Sequence, residues 1–411
     1  MSREFSTVGV VGLGYIGLPT ATILADYGVK TIGMDVSEQT VTAVNRGEVP
    51  FVEPGLREVL ERAVASGNLT AQTHVPVADA YIVAVPTPFT DARAADLSYI
   101  EAAARNIAPQ LRGGELVILE STSPPGATEH MRDVLLGERP DLTEDQLLVA
   151  HCPERVLPGK IMEEMVTNDR IIGGLTREAA EAARDLYLNF CKGEILLTDA
   201  KTAEMAKLTE NSFRDVNIAF ANELSVICHK LGIDVWELIA LANHHPRVNI
   251  LQPGPGVGGH CIAVDPWFIV DAAPDEANLI RAARQANDAK PEWVLSQIEH
   301  ALDTIGSGAK IAVLGLAFKA NIDDLRESPS LAIAERLANR ALGAEILAVE
   351  PHVSDLPRLL SSKANVRHAS TDEAIEAADI VVLLVDHDEF KSVDPEKLAR
   401  KIVIDTRGIW R

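Results

Sequence analysis

One cysteine lies in a stretch of the chain whose other residues suit it to react with a ligand. Cys261 belongs to the sequence PGPGVGGHCIAVDP, residues 253–266, and Asp265 follows it by four positions. Glycines at 254, 256, 258 and 259 let the backbone approach a ligand more closely than residues with a Cβ can. The pattern predicts a loop that carries a nucleophilic thiol near a carboxylate. The alternative is a plain glycine turn around a small buried cysteine.

A second group of polar residues follows helical spacing. The segment from Thr198 to Leu231 predicts one long helix, because its apolar residues recur at helical intervals. On it Lys207, Asn211 and Arg214 stand at i, i+4 and i+7 and share one face. A lysine with an amide partner suits an alkoxide-like oxygen, where losing one such donor typically costs about 10²–10³ in rate. A solvated helix face is the alternative. The apolar positions are Met205, Leu208, Val216, Ala219, Phe220, Leu224 and Ile227.

The start of the chain carries a dinucleotide-binding pattern. A strand-like run over residues 7–13 leads into Gly12, Gly14 and Gly17, a helix-like run covers 18–27, and a second strand covers 31–34. Asp35 ends that strand 18 residues after Gly17. This is the position at which such units place the acid that accepts hydrogen bonds from the adenosine ribose. An acid there predicts NAD and not NADP as the cofactor.

A nicotinamide cofactor and a reactive thiol together predict a particular oxidation. The thiol of Cys261 would capture an aldehyde as a thiohemiacetal, a second oxidation would give a thioester, and water would release a carboxylate. One site would then oxidise a primary alcohol by four electrons with two NAD⁺. Asp265 and Glu154 are the acids that could move the protons. The alternatives are a two-electron dehydrogenase that does not need the thiol and an NAD-sensing protein with Cys261 as a redox switch.

The order of elements predicts the α/β fold class, with two Rossmann-like doubly wound domains joined by a long central helix. In the first half, strand-like runs at 80–85 and 116–120 end in PTPF and STSPPG. Near the other end, strand-like runs return at 310–319, 344–351, 378–387 and 401–408. The first turn there is GLAFK and not GxGxxG, so the side chain of Lys319 replaces close backbone approach. A different phosphate ligand is implied.

Composition excludes several classes of partner. The 411 residues carry a formal net charge of −22, which disfavours nucleic acid and anionic membranes. The four cysteines are widely spaced, without a zinc or disulfide pattern, so we expect no metal and a reducing, cytoplasmic location. We find neither a signal peptide nor an apolar run long enough to span a bilayer, and we expect a soluble protein.

Taken together, these motifs resemble the UDP-glucose/GDP-mannose dehydrogenase family, from GVVGLGYIG near the start to DTRG near the end. The resemblance implies catalytic roles for Cys261, Lys207, Asn211, Asp265, Thr122 and Glu154. It implies NAD contacts for Tyr15, Ile16, Asp35, Thr87, Thr122 and Arg326, beside the glycines Gly12, Gly14 and Gly17. It implies contacts to a UDP-sugar for Arg155, Val156, Lys207, Asn211, Arg214, His245, Arg247, Gly258, Phe318, Lys319 and Arg407. These basic side chains would give the anionic substrate a local positive field.

The resemblance also implies an organisation and a substrate. The expected regions are an NAD-binding domain over 1–197, a central helical and dimerisation domain with the cysteine loop over 198–300, and a UDP-sugar-binding domain over 301–411, with the sites in the cleft between. The strings HHPRVNILQ and PGPGVGGHCIAVDPWFIV most resemble the branch that oxidises UDP-N-acetylmannosamine. UDP-N-acetylglucosamine, UDP-glucose and GDP-mannose are rival substrates. ERVLPGK lacks the second acid of the EFLxEG version, which disfavours glucose, and His260 is not expected to be catalytic.

Overall fold

A computed structural model describes residues 3–90, 93–259, 261–306, 308–341 and 343–410 of the chain. They form two compact units, one ending at Glu210 and the other beginning at Asn211. Each unit contains a largely parallel sheet with helices between its strands. The predicted α/β class, with two Rossmann-like domains and a long helix between them in the chain, is confirmed. His260 lies outside the described residues.

The first unit contains an eight-stranded sheet. Its strands are β1 Val8–Val11, β2 Thr31–Met34, β3 Leu69–Gln72, β4 Ala80–Val83, β5 Leu116–Leu119, β6 Leu148–His151, β7 Arg170–Gly174 and β8 Ile195–Asp199. Its helices are α1 Gly17–Asp26, α2 Glu38–Asn45, α3 Leu56–Ala65, α4 Ser98–Ile107, α5 Ala127–Glu138, α6 Ile161–Thr167 and α7 Arg177–Tyr187, with short 3₁₀ helices at Ala108–Gln110 and Glu144–Gln146.

The strand order in this sheet places the predicted site residues that follow its strands at the side where the parallel strands end. The order is β3-β2-β1-β4-β5-β6-β7-β8, and every neighbouring pair is parallel except β6 with β7. The carboxyl ends of β1, β2, β4, β5 and β6 therefore meet at the same edge. Ligands of doubly wound sheets bind at this edge.

The central strands are apolar at every position because helices cover both faces of the sheet. In β4, Ala80 and Ile82 pack into one hydrophobic cluster, while Tyr81 and Val83 pack into the cluster on the opposite face. All four residues are fully buried. Continuous apolar runs of this kind are typical of parallel sheets buried on both faces.

The predicted long helix is present as α8, which runs for 32 residues from Ala200 to Leu231 and contains the boundary between the two units. One stripe of its surface is apolar and exposed. Phe213 is 68% exposed, Phe220 54%, Ile227 43% and Leu231 63%. Spacings of seven, seven and four residues put these side chains on one side of the helix. We call these four residues the exposed apolar stripe.

The second unit contains a five-stranded parallel sheet of order β11-β10-β9-β12-β13. Its strands are β9 Lys310–Leu314, β10 Glu345–Val349, β11 Val366–His368, β12 Ile380–Leu383 and β13 Ile402–Asp405. Its further helices are α9 Val235–Ala242, α10 Asp265–Ala272, α11 Asn278–Ile305, α12 Pro329–Arg340, α13 Arg358–Ser361, α14 Thr371–Ala377 and α15 Asp388–Lys391, with a 3₁₀ helix at Pro395–Lys397. None of the helices in the described ranges is both long and apolar enough to cross a bilayer.

Candidate active site

The turn between β1 and α1 requires glycine at two of its three predicted positions. Gly12 has φ +93°, and a Cβ there would lie 2.5 Å from the carbonyl oxygen of Ala84. A Cβ on Gly17 would lie 1.9 Å from the carbonyl oxygen of Gly12. At Gly14, by contrast, a Cβ would meet no atom of the described residues within 4 Å, so this side of the turn is open. An open backbone turn at a helix N-terminus suits a pyrophosphate.

The end of β2 and the segment after β4 also fit a dinucleotide. The carboxylate of Asp35 is held by the backbone amides of Leu13, at 3.0 Å, and Ser37, at 2.9 Å. Both of its oxygens keep lone pairs that could accept hydrogen bonds from ribose hydroxyls. The Oγ1 of Thr87 is buried and has no hydrogen-bond partner among the described residues. A bound NAD would supply a partner for that hydroxyl.

Tyr15 and Ile16 stand where α1 begins. The hydroxyl of Tyr15 donates to Glu53 at 2.8 Å, and its ring centroid lies 4.9 Å from that of Phe51. Ile16 is the N-cap residue of α1 and packs against the core of the unit. Both residues therefore lie beside the glycine turn, as their predicted contacts with NAD require.

The loop that carries Thr122 is fixed by a carboxylate from α8. Thr122 follows β5 and is half-buried. The buried side chain of Glu204 accepts hydrogen bonds from the amides of Gly126, at 2.6 Å, and Thr128, at 2.7 Å, and from the Thr128 hydroxyl at 2.6 Å. Lys207 lies three residues after Glu204 on α8 and is half-buried. The loop and the start of α8 are thus tied together.

Glu154 takes part in a buried ion pair that the sequence interpretation missed. It follows β6, and its Oε2 lies 3.2 Å from Nη2 of Arg170, with side chains only 8% and 4% exposed. The guanidinium of Arg170 also lies 4.7 Å from the ring centroid of Tyr187. Burial, followed by the charge of Glu154, raises the pKa of the neighbouring Glu120 to about 7. A lone arginine at the start of the apolar strand RIIGG was the available signal.

Two predicted substrate residues follow Glu154 directly. Arg155 forms an ion pair with Glu210 at 2.7 Å and donates to the carbonyl oxygen of Asp169 at 3.1 Å. Val156 packs against the hydrophobic core of the first unit. The structure thus holds Arg155 through an acidic residue of α8, one turn away from Lys207.

In the second unit, the structure brings Cys261, Asp265 and Asn211 together. The carbonyl oxygen of Cys261 accepts hydrogen bonds from the amides of Val264, at 3.1 Å, and Asp265, at 2.9 Å, where α10 begins. Asp265 is only 3% exposed, and its Oδ2 accepts from Nδ2 of Asn211, on α8, at 2.5 Å. The Cys261 residue is exposed. An exposed cysteine residue therefore lies one turn from a buried carboxylate.

The other three cysteines are buried. Burial raises the pKa of the Cys152 thiol to about 12, which makes it unreactive at neutral pH. Cys191 is 7% exposed and Cys228 is 2% exposed. Exposure alone thus separates Cys261 from them.

A small pocket of the second unit is lined by Phe318, Lys319 and Arg407, together with the segment of Pro255 and Gly256. Gly258 lies against this region, because a Cβ there would stand 2.5 Å from the carbonyl oxygen of Glu327 and 3.2 Å from Cβ of Phe318. Predicted substrate residues and the cysteine segment are thus neighbours within one unit. Asp386 also lines the pocket and pairs with Arg407 at 2.7 Å, so a diphosphate would meet the two cations together with this carboxylate.

The first turn of the second sheet differs from that of the first. The amides of Leu316 and Ala317 both donate to Oε2 of Glu350, at 2.7 and 2.9 Å. Glu350 is buried at the end of β10 and also contacts the ring of His387 at 3.2 Å. An internal carboxylate therefore occupies amides that could otherwise meet a phosphate. This agrees with the sequence interpretation of the GLAFK turn.

Four predicted ligand residues are exposed in the second unit, and the lining of this pocket does not include them. Arg214 lies on α8, and His245 and Arg247 follow α9. The backbone amide of Arg247 donates to Nδ1 of His245 at 3.3 Å. Arg326, predicted to contact NAD, forms an ion pair with Asp324 at 2.6 Å. Within the described ranges, no cluster of three or more His, Cys, Asp or Glu side chains could hold a metal ion.

Three family models match the chain in sequence order. They describe the NAD binding domain, the central domain and the UDP binding domain of one family, over residues 6–191, 201–289 and 312–411. The protein is thus a dehydrogenase that uses NAD, as predicted. The chain belongs to the UDP-glucose/GDP-mannose dehydrogenase family, and the resemblance found in its sequence motifs is confirmed.

Individual relatives are similar over nearly the whole chain. An NDP-N-acetyl-D-galactosaminuronic acid dehydrogenase of Ralstonia nicotianae is 56% identical over 99% of this chain and 97% of its own length. A UDP-N-acetyl-D-mannosamine dehydrogenase of Salmonella typhi is 54% identical over 99% of this chain and all of its own length. Among solved structures, a UDP-D-ManNAc dehydrogenase from Pyrococcus horikoshii matches with a TM-score of 0.88 at 40% identity, covering 98% of this chain and 96% of that one.

Proposed function

We propose that the protein oxidises the C6 alcohol of UDP-N-acetyl-D-mannosamine to the carboxylate of UDP-N-acetyl-D-mannosaminuronate, with Cys261 as the nucleophile. The observation that carries the proposal is the exposed Cys261 residue, one turn from the buried carboxylate of Asp265, which Asn211 holds at 2.5 Å. Two-electron oxidation of an alcohol needs no thiol. Four-electron oxidation at one site gains from a thiol, which can hold the aldehyde covalently between the two oxidations.

The proposed reaction consists of two hydride transfers, with addition of the thiol between them and hydrolysis at the end. A bound NAD⁺ would supply the hydride acceptor for each of the two oxidations, one NAD⁺ for each. In the first oxidation the C6 hydroxyl also loses its proton and becomes an aldehyde. The sulfur of Cys261 then adds to that carbonyl carbon, and the thiohemiacetal hydroxyl loses its proton in the second oxidation, which leaves a thioester. Water adds to the thioester, the carbon–sulfur bond breaks, and a carboxylate and the free thiol result.

The other proposed catalytic residues have the chemistry that these steps need. Lys207 and Asn211 would donate hydrogen bonds to the oxygen that becomes alkoxide-like in each oxidation. Asp265 would accept the hydroxyl proton, while Glu154, near Thr122 in strand order, would assist the hydrolytic water. The basic side chains named above would bind the UDP-sugar. The regions 1–197, 198–300 and 301–411 remain our proposal for the functional domains.

The choice of sugar follows the names of similar proteins and the strings around Cys261. Relatives named for UDP-N-acetyl-D-mannosamine are 52–54% identical to this chain over 99% of it. The relative from Ralstonia nicotianae, named for N-acetyl-D-galactosaminuronic acid, is 56% identical and supports a second candidate, the N-acetylgalactosamine sugar. Both candidates carry a 2-acetamido group, so we propose an N-acetylhexosamine as the substrate class in either case.

A panel of nucleotide sugars tests this proposal. We expect NADH formation to be fastest with UDP-N-acetylmannosamine among the UDP-linked N-acetylhexosamines, UDP-glucose and GDP-mannose, with two NADH formed for each uronate. The measurement is absorbance of NADH together with chromatography of the sugar product. One NADH per sugar, with aldehyde as the final product, would contradict the four-electron scheme. Faster oxidation of UDP-N-acetylgalactosamine would replace the first candidate by the second.

We also propose that the exposed apolar stripe on α8 is covered by a second copy of the chain. Three of its four residues are more than half exposed, a state that costs free energy in water unless a partner covers them. The family resemblance implies dimerisation through the central region, and the exposed apolar stripe lies on the long helix α8 of that region. This proposal concerns the oligomeric state and not the chemistry.

Replacing Phe220 in the stripe by glutamate should shift the protein from dimer to monomer. A carboxylate placed in an apolar interface would have to lose its water on association, which disfavours the dimer. Analytical ultracentrifugation over a range of concentrations measures the change. The control is His229→Glu, which places the same charge at an exposed position nine residues from Phe220, on the opposite side of the helix. A wild-type protein that sediments as a monomer at every concentration would contradict the proposal.

A further inference from the structure

Four buried polar side chains form a continuous hydrogen-bonded chain between α8 and α11. Each of Asp215, Asn222, Arg284 and Asn287 is at most 1% exposed. Nδ2 of Asn287 donates to Oδ1 of Asp215 at 2.8 Å, and the guanidinium of Arg284 donates to the same oxygen. Nδ2 of Asn222 donates in turn to Oδ1 of Asn287 at 2.9 Å. We call these four residues the buried polar chain.

The two ends of the buried polar chain contact the segment that carries Cys261, one on each side of the thiol. At one end, Oδ1 of Asn222 accepts from the backbone amide of Gly254 at 2.9 Å. At the other end, Nη1 of Arg284 donates to the carbonyl oxygen of Ile262 at 3.4 Å. Gly254 precedes the glycine-rich turn, and Ile262 directly follows Cys261. The segment is thus held before and after the reactive residue.

The hydrogen bonds between the buried polar chain and the segment that carries Cys261 fix the orientation of the side chains involved, which apolar packing would not do. The amide of Asn222 uses its oxygen toward Gly254 and its nitrogen toward Asn287, so only one orientation satisfies both neighbours. Asn287 is fixed in the same way between Asn222 and Asp215. Asn222 and Asn287 satisfy one another and their further neighbours, whereas Oδ2 of Asp215 and Nε of Arg284 have no hydrogen-bond partner among the described residues. The two paired amides therefore make the position of Gly254 specific. Well-packed apolar residues could fill the same volume without fixing the position of the loop.

We propose that the buried polar chain positions the thiol of Cys261 for capture of the aldehyde, which rests on the proposed role of Cys261 as the nucleophile. Its four members are positioning residues, because they act through the backbone at Gly254 and Ile262. With those two points fixed, the sulfur stands at the attack geometry when the aldehyde forms. When a hydrogen bond of the buried polar chain is lost, the thiol of Cys261 keeps its chemical reactivity. The segment that carries it then samples more positions, and fewer aldehydes are captured.

The test is Asn222→Ala with Asn217→Ala as its control on the same helix. Asn217 is half-buried, and its Nδ2 donates to the carbonyl oxygen of Phe213 within α8. For N222A we expect kcat to fall by about 10²-fold, with KM for the UDP-sugar changed less than about threefold, since misplacement of a reacting group acts on the chemical step. The N217A variant should keep both constants.

Product stoichiometry separates positioning from loss of folded protein. If aldehyde escapes capture, N222A will form more than two NADH per uronate, and semicarbazide will trap the missing sugar as its semicarbazone. Alkylation of Cys261 by iodoacetamide should proceed at the wild-type rate in N222A, because a small freely diffusing reagent needs no fixed attack geometry. Asn287→Ala, one link further from the loop, should show the same escape of aldehyde.

Two results would overturn the proposal. One is N222A with the kcat of the N217A control. The other is a lower kcat with two NADH per uronate, no trapped semicarbazone and no new alkylation of Cys152, Cys191 or Cys228, since a folded variant would then still capture every aldehyde. If N222A does not fold, Asn222→Ser takes its place with the same outcomes. A wild-type enzyme that itself makes no uronate would instead refute the proposed function, which keeps the two failures distinct.

Discussion

Cys261→Ser should lower the rate of uronate formation by on the order of 10³-fold or more, since a serine hydroxyl is a far weaker nucleophile than a thiolate at neutral pH. The first oxidation does not need the thiol, so the variant should still form some NADH. We expect trappable aldehyde to account for it. The measurement is the initial rate of uronate formation by chromatography, with NADH followed by absorbance in the same sample.

Cys228→Ala is the matched control for the cysteine variant. Cys228 lies on α8 and is only 2% exposed, so its thiol has no access to a sugar substrate. Alanine is the residue with the best helix propensity and leaves the variant helix intact. The control should keep the wild-type rate for each folded molecule. Uronate formation by C261S at the rate of this control would remove the thiol from the mechanism and favour a different nucleophile.

Arg170→Met should destabilise the first unit by about 3–5 kcal/mol, because it leaves the carboxylate of Glu154 buried without its charged partner. The two side chains are 4% and 8% exposed, so water cannot replace the lost interaction. Urea unfolding followed by circular dichroism measures the change. The double variant with Glu154→Gln should recover part of the loss, because the unpaired charge is then gone.

An exposed ion pair on a helix of the same unit provides the comparison for Arg170. Arg177 and Glu181 pair at 2.7 Å on α7, with side chains 71% and 44% exposed. Arg177→Met should cost only about 0.3–0.5 kcal/mol, as is usual for solvent-exposed pairs one helical turn apart. Equal destabilisation by R170M and R177M would show that burial does not strengthen the pair between Arg170 and Glu154.

The sequence predicted the elements that short-range patterns determine. The strand Thr31–Met34 has the bounds that the pattern indicated, and α8 begins two residues after the predicted start of the long helix. Binary patterning and glycine turns act within a few residues, so these elements could be inferred without an account of tertiary contacts. The strands β3, β6, β7, β8 and β11 were not predicted. Two of them, β3 and β11, are sheet-edge strands that lack a long apolar run.

Contacts between distant parts of the chain could not be predicted from local patterns. The pair of Glu154 and Arg170 and the hydrogen bond between Asn222 and Gly254 join residues that no spacing rule connects. The site residues that stand at strand ends were predictable, because parallel order alone places them on one edge. The roles proposed for them remain predictions, and the experiments above address Cys261 among them.

The carboxylate of Glu350 has a consequence for the timing of the reaction. Because it occupies the amides of Leu316 and Ala317, the turn after β9 cannot accept a dinucleotide in the way that the turn after β1 can. Because, of these two turns, only the turn after β1 is open in this way, each protein chain would bind one NAD⁺ at a time. In the proposed mechanism, spent cofactor would have to depart and a new one arrive while the sugar stays bound through sulfur. The lifetime of that covalent adduct, and not its formation, would therefore set how often the second oxidation succeeds.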